Sequence, residues 1–239
     1  MPEYSARRVV VYAAVLIAIA LPLIAGANGD SPAPSETVTS TTSCARAAAA
    51  KVQQHYDEVR DWSARFEQVT KSVVLGGGSL ADDAPAVGQV IFEKPGKMRW
   101  TYESPPSLVV SDGESLWIYD PASREAQKMS VSRGGLSGAA LLFLMGEGDL
   151  NGAFDVESDE CPAERVRLRL SPREPASYER LELLVDPETG QVLETTIHDI
   201  LGNRTRVAFS AVRTDQKPPA ETFRFDPEPG VRVTELEMN

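Results

Sequence analysis

Side chains able to do covalent chemistry are sparse here and far apart. The chain has two histidines, His55 and His198, and two cysteines, Cys44 and Cys161. A nucleophile needs a base within reach, and no Gly-x-Ser-x-Gly elbow, HExxH or Cys-His arrangement occurs. His198 adjoins Asp199, but neighbours on a strand face opposite sides of a sheet, so adjacency does not make a dyad. Two thiols without a nearby His are too few ligands for a metal. An even count suggests a Cys44–Cys161 disulfide in an exported protein, worth roughly 4–5 kcal/mol for so long a loop. Arg165, Arg167 and Arg169 alternate with Val166, Leu168 and Leu170. That row could hold an anion, but a half-buried strand must show a polar face, and Glu179 or Glu182 could pair across it. The residues thus point to no enzyme, no cofactor and no metal.

A second concentration of unusual residues is VVSDGESLWIYDP, Val109 to Pro121. Asp112-Gly113 is turn chemistry, and both arms are apolar and β-prone. Trp117 and Tyr119 in the second arm could fill a core, lie on an outer face, or wall a space for something else.

The surrounding composition is globular: 239 residues, 25% charged, 42% hydrophobic, with a formal net charge of −11. Such acidity argues against nucleic-acid binding and against a polybasic membrane binder. Arg7 and Arg8 precede an apolar run from Val9 to Ala25, which ends in Ala25-Gly26-Ala27. That pattern reads as a secretory signal peptide over residues 1–27. An uncleaved anchor is the alternative, weakened by Pro22. Residues 28–43 are rich in Ser, Thr and Pro and read as a disordered linker, leaving 44–239 as the domain.

Within that domain, Val52, Tyr56 and Val59 mark a helix from Cys44, giving way near Arg60 to the alternation of Trp62, Ala64 and Phe66. Gly76 to Gly78 are not a phosphate loop, because no Gly-Lys-Ser/Thr follows. Short strands are then expected at Val87–Lys94, Met98–Tyr102, Leu108–Ser111 and Ser115–Tyr119. The run LSGAALLFLM, Leu136 to Met145, reads as a helix apolar on every side, which must be buried against something. Strands resume from Val166 and close with Thr222–Phe225 and Val231–Leu236. The body reads as one α+β domain: an antiparallel meander with a helical interruption.

Four segments in order resemble the periplasmic lipoprotein carriers of the LolA-like family. They are DWSARFEQ (Asp61–Gln68), FEKPGKMRWTY (Phe92–Tyr102), Val109–Pro121 with its Ser-Asp-Gly and Leu-Trp-x-Tyr, and FRFDPEPGVRV (Phe223–Val233). The resemblance implies an open, strongly curved antiparallel β-sheet, an incomplete barrel, covered by short helices forming a lid. It implies a periplasmic monomer that shields lipoprotein acyl chains, taking them from an inner-membrane lipoprotein-releasing ABC transporter to an outer-membrane acceptor. The implied acyl-chain cavity is walled by Phe66, Phe92, Met98, Trp100 and Trp117, with Leu141, Leu142, Phe143, Leu144 and Met145 from the lid. The family carries an Arg before the Pro of its second segment to latch the lid through backbone carbonyls. Here that position is Lys94, which lacks Arg's planar fork and implies a looser latch. The same fold could instead carry a free lipid or glycolipid, or serve as an interaction module.

Overall fold

The computed structural model describes residues 36–72, 85–131 and 149–236. Helix α1 (Glu36–Glu58) is followed by β1 (Asp61–Lys71), β2 (Ala86–Glu93), β3 (Lys97–Ser104), β4 (Pro106–Asp112), β5 (Ser115–Asp120) and β6 (Glu125–Ser130). A single-turn helix, α2 (Leu150–Ala153), leads into β7 (Phe154–Glu157), β8 (Val166–Pro172), β9 (Tyr178–Val185), β10 (Val192–Asp199) and β11 (Arg204–Thr214). A 3₁₀ turn (Ala220–Phe223) precedes β12 (Arg232–Leu236).

All these strands form one curved sheet in the order β12-β6-β5-β4-β3-β2-β1-β11-β10-β9-β8-β7. β1 is the seam, pairing antiparallel with β2 on one side and with β11 on the other. β12 returns to pair parallel with β6. The two ends, β12 and β7, do not pair with each other, so the sheet stays open.

The abundant acids build the corners. Asp112 Oδ1 accepts the backbone N–H groups of Glu114 (2.9 Å) and Ser115 (2.8 Å), while Gly113 takes φ +96°. Asp186 caps Glu188 and Thr189 in the same way, and Asp199 caps Leu201 and Asn203. A short carboxylate that bonds backbone two residues on stabilises a tight turn and so fixes the register of the flanking strands. The Thr189 N–H holds the Asp186 carboxyl below its ordinary range.

Helix α1 follows from its spacing. Ala45, Ala48, Ala49, Val52, Tyr56 and Val59 are buried and lie on one stripe. The stripe packs against β7, β8 and α2. Gln53 Oε1 accepts the N–H of Leu150 at 2.8 Å. Gly190 (φ +76°) lets the β9–β10 turn approach the Lys51 carbonyl so closely that a Cβ would overlap it. The Cys44–Cys161 disulfide ties the helix to the β7–β8 connection.

Four elements differ from the sequence expectation. α1 begins at Glu36, inside the stretch read as linker. Thr222–Phe225 is not a strand, because it ends the 3₁₀ turn and then runs on without a sheet partner. β6 and β7 have no counterpart among the expected strands; β6 buries only Ala126 fully, so no alternation announces it. Residues 1–27 and Leu136–Met145 lie outside the described residues.

Candidate functional site

The sheet has two chemically different faces, and cross-strand pairing shows which residues share each. One inner-face row runs Trp62, Phe92, Met98, Ser111, Leu116 across β1 to β5. The next runs Ala64, Val90, Trp100, Val109, Ile118, and the third Phe66, Gly88, Tyr102, Ser107. Every one of these residues is buried. At Gly88 a Cβ would press into the Phe66 ring and the Thr101 carbonyl, so the absent side chain is what seats the phenyl group.

The rings in this grid touch one another. Trp62 stacks on Phe92 (centroids 4.8 Å, planes 27° apart) and meets Phe209 of β11 edge-on at 5.5 Å. Phe66 sits edge-on to both Trp100 and Tyr102, at 4.9 Å each. Phe92 and Trp100 are perpendicular at 5.9 Å. Tyr56 reaches the cluster from α1, 6.5 Å from Trp62. Burial drives its phenol pKa well up, so it stays a neutral hydroxyl. Besides Ser107 and Ser111, further polar groups sit inside this apolar field. The Tyr102 hydroxyl donates to Gln68 Oε1 at 3.0 Å. The indole Nε1 atoms of Trp62 and Trp100 are buried with no hydrogen-bond acceptor among the described residues.

Phe66, Phe92, Met98 and Trp100 are thus brought onto one face. Trp117 is not, and this corrects its expected place in the cavity wall. It pairs with Val110 on the outer face, and its ring lies 5.4 Å from Phe225 with the Lys128 ammonium 5.3 Å above it. Tyr119 also meets Phe225, at 5.0 Å. Phe223, Val110 and Ala126 complete a small second core there. The 3₁₀ turn that leads into Phe225 is pinned by Arg99, whose Nη1 donates to the Thr222 carbonyl at 3.0 Å. Leu116 and Ile118, which alternate with the two aromatics, are the inward residues of β5. Trp62, Tyr102 and Phe209 belong to the inner cluster but were absent from the expected lining. The alternation Trp62-x-x-x-Phe66 and Trp100-x-Tyr102 carried the signal for the first two. Leu141, Leu142, Phe143, Leu144 and Met145 lie outside the described residues.

Lys94 extends from the end of β2 to the C-terminus of α1. Its Nζ donates to the carbonyl oxygens of Tyr56 and, at 3.5 Å, Asp57. A cation there satisfies orphan carbonyls and complements the negative end of the helix dipole. The helix it fastens among the described residues is α1. Partial burial holds its pKa below the ordinary lysine value, with Asp57 pulling the other way.

The rest of the outer face is ionic. Arg167 lies between Glu182 (3.7 Å) and Glu194 (3.4 Å), Arg206 between Glu194 (2.9 Å) and Glu67 (3.5 Å), and Arg169 beside Asp159. His198 Nε2 is 3.0 Å from Glu182 Oε1, while Asp199 is engaged in its turn. Arg167 and Arg169 of the arginine row are therefore ion-paired, and Glu182 plays the expected cross-strand part at Arg167. Among the described residues no group of three or more His, Cys, Asp or Glu is placed to hold a metal ion.

Residues 57–226 match the family model described as outer membrane lipoprotein carrier protein LolA. The chain is 28% identical over 191 residues to an outer-membrane lipoprotein carrier protein of Legionella pneumophila (strain Lens), across 79% of this chain and 90% of that one. It is 31% identical over 190 residues to the protein of that description from Alkalilimnicola ehrlichii, across 79% and 84% respectively. A solved LolA superfamily protein from Nitrosomonas europaea superimposes over 74% of this chain and 97% of its own, at 14% identity and a TM-score of 0.38. The family match spans most of the sheet, including β1, β2, β3 and β11, which carry the inner aromatics, and on that ground the chain belongs to the LolA family of outer membrane lipoprotein carrier proteins.

Proposed function

We propose that this protein shields the acyl chains of lipoproteins in the periplasm and shuttles them from an inner-membrane ABC transporter to an outer-membrane acceptor. The observation that supports this most is the inner face: a continuous apolar wall from β1 to β5, rich in Trp, Phe and Met. Such a wall suits a fatty chain physically. Aromatic rings offer broad apolar area, and methionine adapts to a ligand without fixed shape. On this reading residues 1–27 direct export, and Leu141 to Met145 complete the enclosure.

The task is transfer without bond chemistry. Burying a methylene is worth ~0.8 kcal/mol, so one chain of about 14 methylenes gains on the order of 10 kcal/mol before opposing costs. A host that held several chains with that full gain would not release them. The inner face is buried in the empty protein, so cargo must displace whatever covers it, and that cost lowers net affinity. A downstream acceptor with a better site then draws cargo forward, and energy for loading comes from the transporter.

The test uses a purified triacylated lipoprotein and the same lipoprotein with its acylated Cys replaced by Ser. Diluted out of detergent with this protein, the acylated form should co-elute in a soluble complex and the unacylated form should not. Equal behaviour of the two forms, or no complex with either, would remove the reading.

A further inference from the structure

Two buried donors inside the aromatic cluster have no acceptor among the described residues. Trp62 is 6% exposed and Trp100 is 5% exposed, and neither indole Nε1 makes a hydrogen bond. Buried tryptophans ordinarily place that N–H on a partner, because leaving a donor desolvated and unpaired is costly. Here two such donors share one small region. Phe92 stacks on Trp62 and stands perpendicular to Trp100, and Phe209 lies 5.5 Å and 6.4 Å from their rings. The third tryptophan, Trp117, lies apart on the outer face. If packing alone were required, phenylalanine would supply the ring without the unpaired donor.

We infer that the Trp62 and Trp100 indole N–H groups are a polar subsite for the carbonyl oxygens of acyl ester or amide linkages. The inference deepens the carrier reading and rests on it. Hydrocarbon chains carry no hydrogen-bonding group, so a purely apolar wall would treat every fatty ligand alike. An acylated headgroup differs from bare hydrocarbon in its ester and amide carbonyls, which accept hydrogen bonds and lose water when the chains are buried. Two donors set among rings meet that need where water is excluded. They also favour the empty-to-loaded change, because loading satisfies groups that the empty protein leaves unpaired. The subsite thus selects chains joined through a carbonyl over chains joined through an ether.

The experiment compares two monomeric probes, palmitoyl lysophosphatidylcholine and its O-hexadecyl ether analogue, which differ in the carbonyl. The wild-type protein should bind the ester ~5–10-fold more tightly, the ratio expected for one net hydrogen bond. In Trp62→Phe and Trp100→Phe, lost packing can weaken both probes, but the ester-to-ether ratio should fall towards one. In ¹⁵N-labelled wild-type protein, two of three indole N–H resonances should move downfield on ester binding, while that of Trp117 stays in place. Equal wild-type affinity for the two probes, a ratio retained in both Phe variants, or stationary Trp62 and Trp100 indole resonances would each overturn the subsite and leave the carrier reading standing. Failure of the wild type to bind either probe would sink the carrier reading and the subsite together.

Discussion

The two faces of this sheet are built from the same strands, yet they are held by different physics. The inner face is a grid of apolar and aromatic side chains from β1 to β5, buried almost without charge. The outer face carries a lattice of arginines and carboxylates on β8 to β11 and a compact hydrophobic patch under Phe223 and Phe225. Alternation along a strand makes this possible, because consecutive residues serve opposite surfaces. Stability concentrates where water is excluded. The outer lattice gives solubility and register but little energy, since exposed ion pairs are screened by solvent.

The strongest way to break the inner side is at its staple. Cys44 and Cys161 are 117 residues apart in sequence, and the chain-entropy value for closing a loop of roughly 100 residues is about 4.7 kcal/mol. Replacing both by Ser should lower the free energy of unfolding by an amount of that order in urea denaturation under non-reducing conditions. Wild-type stability in the double variant would show that α1 is held by its apolar stripe and hydrogen bonds without the disulfide. Next comes Phe66→Ala, which empties a site ringed by Trp100, Tyr102 and Gly88 and should cost about 3–5 kcal/mol.

The matching change outside, Arg167→Ala, should cost only about 0.2–1 kcal/mol. Glu182 keeps Arg180 and His198 beside it, and Glu194 keeps Arg206, so no carboxylate is stranded. A loss as large as that of Phe66→Ala would erase the contrast between the faces.

The smallest effect concerns pH. Burial holds His55 and His198 below the ordinary value of 6.5, and Arg180 adds to the effect at His198. Below that value the unfolded chain takes up protons before the folded one does, so the histidine contribution is undiminished above about pH 6.5 and declines as pH falls. Urea midpoints measured at about pH 7.5 and about pH 6 should therefore drop slightly, and His55→Gln with His198→Gln should flatten the slope. A rise in stability on acidification would reverse the assigned direction.

Much of the fold was legible because local chemistry specified it. The stripe from Ala45 to Val59 announced α1, Asp112-Gly113 announced the β4–β5 hairpin, and the Arg165–Leu170 alternation announced a strand with one wet face. Of the site, Phe66, Phe92, Met98 and Trp100 could be read from alternation and family likeness together. β6 was hidden because EAQKMS has no apolar period, and the outer patch was hidden because its cover comes from the distant segment after β11.

What the residues determined by themselves was the helix α1, the strands with a clear apolar period, the acidic composition and the absence of recognisable catalytic motifs, since these depend on neighbours in the chain. What only the tertiary structure decided was which way Trp117 and Tyr119 face. Leu116, Trp117, Ile118 and Tyr119 are all apolar, so no pattern within SLWIYD distinguishes inside from outside. The choice came from partners remote in sequence: the Phe225 ring on one side and the β1–β4 grid on the other. A face of a sheet is defined by what covers it, and that information does not reside in any one strand.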